Sequence, residues 1–215
     1  MTESEYIRPA DIERRSFGII AAELGDREIP PEERPIVMRC IHTTADFDYA
    51  ENLYFSPGAV SRAKALLRSG TLIVTDTNMA LSGINKPALA RHRCEAVCFM
   101  ADQETAAAAK AQDITRAAAS VDKAASLGRE LIYVCGNAPT ALLRICGHHE
   151  SGSFTPSLVI GMPVGFVNVV QSKERLIASG IPCIVARGRK GGSNVAAAVI
   201  NALLYELDAE SGVRR

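Results

Sequence analysis

The segment CIHTTADFD, Cys40 to Asp48, gathers a histidine, two threonines and two aspartates into a short span. His42 stands out because imidazole is the one side chain whose ordinary pKa, about 6.5, lets it give or take a proton near neutral pH. On a helical wheel for residues 32–44, at ~100° per residue, Ile36, Val37, Cys40, Ile41 and Thr44 form one apolar stripe. His42 falls at the edge of that stripe, beside Arg39 and Thr43. An edge position suits a side chain that lines a cleft. A satisfied structural histidine is the alternative, and the sequence leaves both open.

Other candidates follow short apolar runs. TLIV leads into TDTNMALSGINK, with Asn78, Asn85 and Lys86; IYVC leads into GNAPTALLR, with Asn137 and Thr140. SLVI precedes GMPVGFVNVVQSKE, and PCIVA runs into RGRKGGSNVAAAV, with Arg187, Arg189, Lys190 and Ser193. Each segment supplies glycine, a small or amide side chain, and N–H groups at the start of a helix, which is a setting for anions. Three basic residues before the glycines make a phosphate or carboxylate the expected guest. The segment is not a Walker loop, because Gly191 and Gly192 separate Lys190 from Ser193. Ordinary strand-to-helix turns would use the same residues for backbone reasons. Ser16 lies in the row Ile12, Ser16, Ile20, Leu24 at helical spacing, and Arg116 rises from an alanine-rich stretch. Taken singly, the first reads as a serine bonded to its own helix and the second as a solvated arginine.

Metal and nucleophile chemistry find little support. ICGHHE and RHRCEAVC hold histidines and cysteines without paired C-x-x-C or H-E-x-x-H spacing, and no metal is expected. His148 and His149 read as a helix C-terminus. There is no G-x-S-x-G elbow.

The elements that must position these residues alternate along the chain. Two helices are expected at 9–25 and 32–44, then a short strand in NLYFS and a helix in PGAVSRAKALLRSG. Nearly continuous apolar runs at 71–76, 96–100, 130–136, 157–162 and 182–188 read as buried strands. Helical stretches at 103–128, 138–149, 167–179 and 192–207 lie between and after them. The pattern predicts an α/β fold: one doubly wound, mostly parallel sheet with helices on both faces and two extra N-terminal helices. Residues 1–215 read as a single domain, ordered over about 6–207.

Composition narrows the function. Lys+Arg and Asp+Glu are both 24, and only 5% of residues are aromatic with no Trp, which argues against nucleic acid or an anionic membrane as partner. The polar N-terminus is not a signal peptide, and no run approaches a membrane span. The six cysteines are scattered, mostly through apolar runs, as in a reduced cytoplasmic protein.

In combination, SFGII, IHTTADFD, GINK, TRAAAS, GNAPTAL, PVGFVNVVQSKE and VARGRKGGSNVAAAVINAL resemble the precorrin-8X methylmutase family of cobalamin biosynthesis, over about residues 6–207. The resemblance implies an isomerase that moves a methyl group from C-11 to C-12 of a tetrapyrrole, giving hydrogenobyrinic acid or its cobalt counterpart, with no cofactor. It implies that His42 is catalytic, that Ser16 and Arg116 contact substrate, and that the chain is a homodimer. Where oxygen-dependent members carry a threonine, this chain reads Gly83-Ile84-Asn85-Lys86, which leans toward the cobalt branch. Two other readings are a corrinoid carrier without catalysis and a phosphate-binding α/β enzyme.

Overall fold

A computed structural model describes residues 9–213; the start of the expected ordered core, at 6–8, lies outside them. The sheet has six strands in the order β1-β6-β5-β4-β2-β3. They are β1 Leu53–Phe55, β2 Leu72–Thr75, β3 Glu95–Cys98, β4 Leu131–Cys135, β5 Leu158–Gly161 and β6 Cys183–Ala186. All neighbours are parallel except β1, which closes the β6 edge antiparallel through Leu53↔Ala186, Tyr54↔Val185 and Phe55↔Ile184. The chain adds β3 on one side of β2 and then crosses to place β4 on the other. The switch point therefore lies between the carboxyl ends of β2 and β4, the crevice where open α/β sheets take ligands.

The strands read as unbroken apolar runs because both faces are covered. In β4, Ile132 and Val134 join one core cluster while Leu131, Tyr133 and Cys135 join the other. The first face carries α1 Pro9–Leu24, α2 Arg34–Thr44, α4 Ala59–Arg68, α6 Lys86–Arg91 and the long α11 Ser193–Glu210. The second carries α8 Arg116–Ser126, α9 Pro139–Glu150 and α10 Val169–Ala178. The two N-terminal helices precede the sheet as expected, and α2 is built into it: Ile36, Val37, Cys40 and Ile41 are buried in the same cluster as Val195, Val199, Ile200 and Leu203 of α11.

Four local departures from the expected elements are seen. The helix expected over 103–128 is two, α7 Gln103–Ala111 and α8. Asp113 takes a left-handed conformation at φ 52°, and the Thr115 hydroxyl accepts from the Ala118 N–H to start the second helix. The polar stretch after β2 is not loop throughout. Thr77 caps α5, Asn78–Gly83, and Asn85 caps α6 by accepting from the Ala88 N–H, with Pro87 in its first turn. A short α3, Tyr49–Asn52, joins the α2 turn to β1. Finally, the row from Ile12 to Leu24 is not buried along its length: Ile20 and Leu24 are buried, but Ile12 is 51% exposed.

Candidate functional site

Four segments meet at the carboxyl edge of the sheet around the first turn of α11. The Thr77 and Ser193 hydroxyls lie 2.8 Å apart, joining the end of β2 to the start of α11. Gly136, just after β4, packs so closely that a Cβ there would sit 2.6 Å from the Ser193 Cα. The Gly192 N–H donates to the Met162 carbonyl at 2.8 Å, tying in the segment after β5. At Gly191 a Cβ would meet the Met162 carbonyl oxygen at 2.3 Å, so only glycine fits.

His42 reaches this edge from α2. Arg39 lies over the Tyr205 ring of α11, while Lys190, just before α11, pairs with Asp46 and Asp48 just after α2. The two helices thus run antiparallel, and the last turn of α2 stands beside the β6–α11 loop. His42 is exposed, with its imidazole stacked on Phe17 at 5.0 Å between centroids and 13° between planes. One face of the ring is thereby held by α1. The edge position read from the wheel is the position observed.

The other expected residues divide by what already holds them. Ser16 Oγ donates back to the Ile12 carbonyl and Thr43 Oγ1 to the Arg39 carbonyl, 2.9 and 2.8 Å. The Arg39 guanidinium lies over Phe17 and bonds Glu13 at 2.5 Å. Arg187 forms a fork with Glu174, at 3.0 and 2.6 Å. Lys190 is taken by Asp46 and Asp48, which push its ammonium pKa upward. The Asn85 amide donates to the Tyr205 hydroxyl, and Lys86 donates to the Leu81 carbonyl; burial lowers the Lys86 pKa. Asn78, Arg116, Asn137 and Arg189 are exposed, and Arg189 stacks over Phe166 at 5.6 Å. Thr140 shares a 2.8 Å contact with the Thr115 hydroxyl, at one wall of a cavity of about 390 Å³ that Ile114, Leu143 and Arg144 also line. A second cavity, about 290 Å³, lies between Met38, Arg39, Ala202 and Tyr205; His42 lines neither.

Two buried charges at this edge escaped the sequence reading. Asp76 is 1% exposed, and its carboxylate accepts from the Gly136, Asn137 and Ala138 N–H groups at 2.7, 2.9 and 2.7 Å. Burial pushes this carboxyl above its ordinary pKa, and the three N–H donors pull it back. The turn after β4 was expected to offer N–H groups to a ligand anion; these three are already bound to the protein's own carboxylate. Lys173 of α10 is 0% exposed and donates to the Gly188 and Lys190 carbonyls at 2.9 and 2.8 Å. Burial lowers its pKa to about 8. A signal existed for each: Asp76 ends an apolar strand, and Lys173 falls on the buried stripe with Val169, Ser172 and Leu176.

At the far ends of α9 and α11 the charged clusters are structural. Asp122 is held by Arg144 and His148, and Asp208 by Arg91 and His92. Among the described residues no group of three or more His, Cys, Asp or Glu could hold a metal ion, and no helix is long and apolar enough to cross a membrane.

Comparison with known proteins places this geometry. A sequence profile of the precorrin-8X methylmutase family matches residues 11–206. A cobalt-precorrin-8 methylmutase of Salmonella typhimurium is 47% identical, over 94% of this chain and 98% of that one. A precorrin-8X methylmutase of Pseudomonas aeruginosa is 36% identical over the same shares of the two chains. The crystal structure of a precorrin-8X methylmutase from Thermus thermophilus superimposes with a TM-score of 0.87 at 41% identity, covering 95% of this chain and 98% of that one.

Proposed function

Because the chain belongs to the precorrin-8X methylmutase family, we propose that His42 is the acid/base of its isomerisation, the transfer of a methyl group from C-11 to C-12 of precorrin-8X or cobalt-precorrin-8. The chain is an isomerase of cobalamin biosynthesis. The observation that carries the role of His42 is its placement. The imidazole is exposed on one face, braced on the other by Phe17, and stands where α2 meets the carboxyl edge of the sheet.

The chemistry needs little more. A methyl shift between neighbouring ring carbons is a [1,5] sigmatropic rearrangement, in which one C–C bond breaks as the next forms within the same π system. No electrons enter or leave. What the protein must govern is the protonation of the pyrrole that carries C-11 and C-12, because that selects the product tautomer. A histidine in contact with the ring holds or delivers that proton, an effect worth ~10²–10⁴-fold.

The substrate rim bears several acetates and propionates. Ser16, Thr43, Asn78, Arg116, Asn137, Thr140, Arg189 and Ser193 are the side chains proposed to meet them. Arg39, Asn85, Lys86, Arg187 and Lys190, whose charged or amide groups hold protein partners, are proposed to line the same site. Cobalt-precorrin-8 is the favoured substrate, on the Gly83-Ile84-Asn85-Lys86 segment and the greater identity to the Salmonella enzyme. The working unit is proposed to be a cytoplasmic homodimer: Ile12, Ile19, Phe166 and Val167 are large apolar side chains left exposed, and the cysteines are free.

The test is an absorbance titration with precorrin-8X and then cobalt-precorrin-8, beside His42→Ala. Wild type converts the ring, and the variant binds it but rearranges it ~10²–10⁴-fold more slowly. Binding of both forms without rearrangement by either protein would favour a carrier. No binding of either would end the reading.

A further inference from the structure

The buried Lys173 has a consequence for the loop above it. A trans peptide points its carbonyl and the following N–H in opposite directions, and there is no cis peptide among the described residues. Lys173 draws the carbonyls of Gly188 and Lys190 inward, so the N–H groups of Arg189 and Gly191 point away from the interior. Neither N–H makes a hydrogen bond among the described residues. The loop is fixed in this sense from its other side too. The Arg189 carbonyl accepts from the Gly165 N–H, and Gly191 rests on the Met162 carbonyl, leaving no room for a Cβ. Lys190, between the two amides, carries its ammonium across to Asp46 and Asp48 beside the last turn of α2.

We propose that Lys173 is a positioning residue for substrate binding, holding the 188–191 loop so that the Arg189 and Gly191 amides together receive one carboxylate of the tetrapyrrole rim. Two outward N–H groups without protein acceptors, with the Lys173 ammonium behind them, are donors that one carboxylate can bridge. The Arg189 side chain on the same loop is exposed and lies over Phe166, a second cation within the segment. Lys173 itself never touches the ligand. The bound group is a carboxylate on the tetrapyrrole substrate or product, so this inference rests on the proposed function.

The test uses the full chain and the product, hydrogenobyrinic acid. In wild type, ¹H–¹⁵N spectra recorded during the titration should show the Arg189 and Gly191 amides moving downfield, as amides do on donating to a carboxylate. This arm needs no variant. If the product binds and those two amides stay still, the proposal is overturned while the proposed function survives. If the product does not bind at all, the proposed function fails first. A second arm compares Lys173→Met with wild type after circular dichroism establishes that the variant is folded. The expected result is a rise in KM and in product Kd of about tenfold, one carboxylate contact, with kcat changed less than threefold. A drop in kcat at constant KM, or an unchanged KM in the folded variant, would overturn the positioning role. Should Lys173→Met not fold, the wild-type amide shifts still decide.

Discussion

Two turns at the same edge of the sheet are each gathered by one buried charge, with opposite results. After β4, Asp76 collects three N–H groups, and the turn has its donors satisfied by the protein. After β6, Lys173 collects two carbonyls, and the loop keeps its donors facing out. In sequence the two look alike, GNAP and GRKGG, both glycine-bearing and both leading into a helix. The sign of the hidden charge decides which backbone pole a turn presents. A buried anion makes a turn structural, whereas a buried cation leaves it ready to bind an anion.

The contrast can be broken most sharply at Asp76. Asp76→Ala strips the acceptor from three N–H groups, each worth about 1–3 kcal/mol when left unpaired, so chemical denaturation should show a loss of roughly 3–9 kcal/mol. A loss under about 1 kcal/mol would mean that water serves the turn as well as the carboxylate does. Lys173→Met should cost less, about 1–2 kcal/mol at neutral pH, because the two carbonyls lose their donor while a poorly solvated ammonium is also removed.

The pH dependence sharpens the same point. The folded pKa of Lys173 lies near 8, against an ordinary 10.5. In that interval the unfolded chain holds the proton and the folded chain has released it. This group therefore adds stability as pH rises, by up to about 1.4 kcal/mol per pH unit. Urea melts from pH 7 to 10 should show wild type gaining on Lys173→Met; a constant gap would mean the lysine does not titrate there. The smallest effect is expected at Lys190→Ala. Its pairs with Asp46 and Asp48 are exposed to water and salt, so the unfolding midpoint should not move measurably.

What the sequence revealed follows from how local each cause is. The β4 run LIYVC is apolar because both sheet faces are covered, and that is visible in five residues. His42 could be placed at the edge of the buried stripe from its own helix alone. The break at 112–115 was hidden because no Gly or Pro marks it; Asp113 takes a left-handed conformation that needs neither. Asp76 and Lys173 were passed over for a different reason. Their meaning resides in backbone atoms some 60 and 15 positions away, respectively, and only folding brings those into reach. The same holds for Arg187 and Lys190, which read as free cations until Glu174, Asp46 and Asp48 arrive beside them.

The packing of α2 against α11 also sets a clock. The apolar stripe that carries His42 to the sheet is completed by Val195, Val199, Ile200 and Leu203, which are translated some 150 residues later. Until that last helix emerges from the ribosome, Ile36, Val37 and Ile41 have no partner there and remain an adhesive surface on a nascent chain. Contacts of such sequence separation fold slowly, since a long loop must close before they form. The histidine is synthesised early and positioned last, so a chain interrupted before α11 carries the residue without its site.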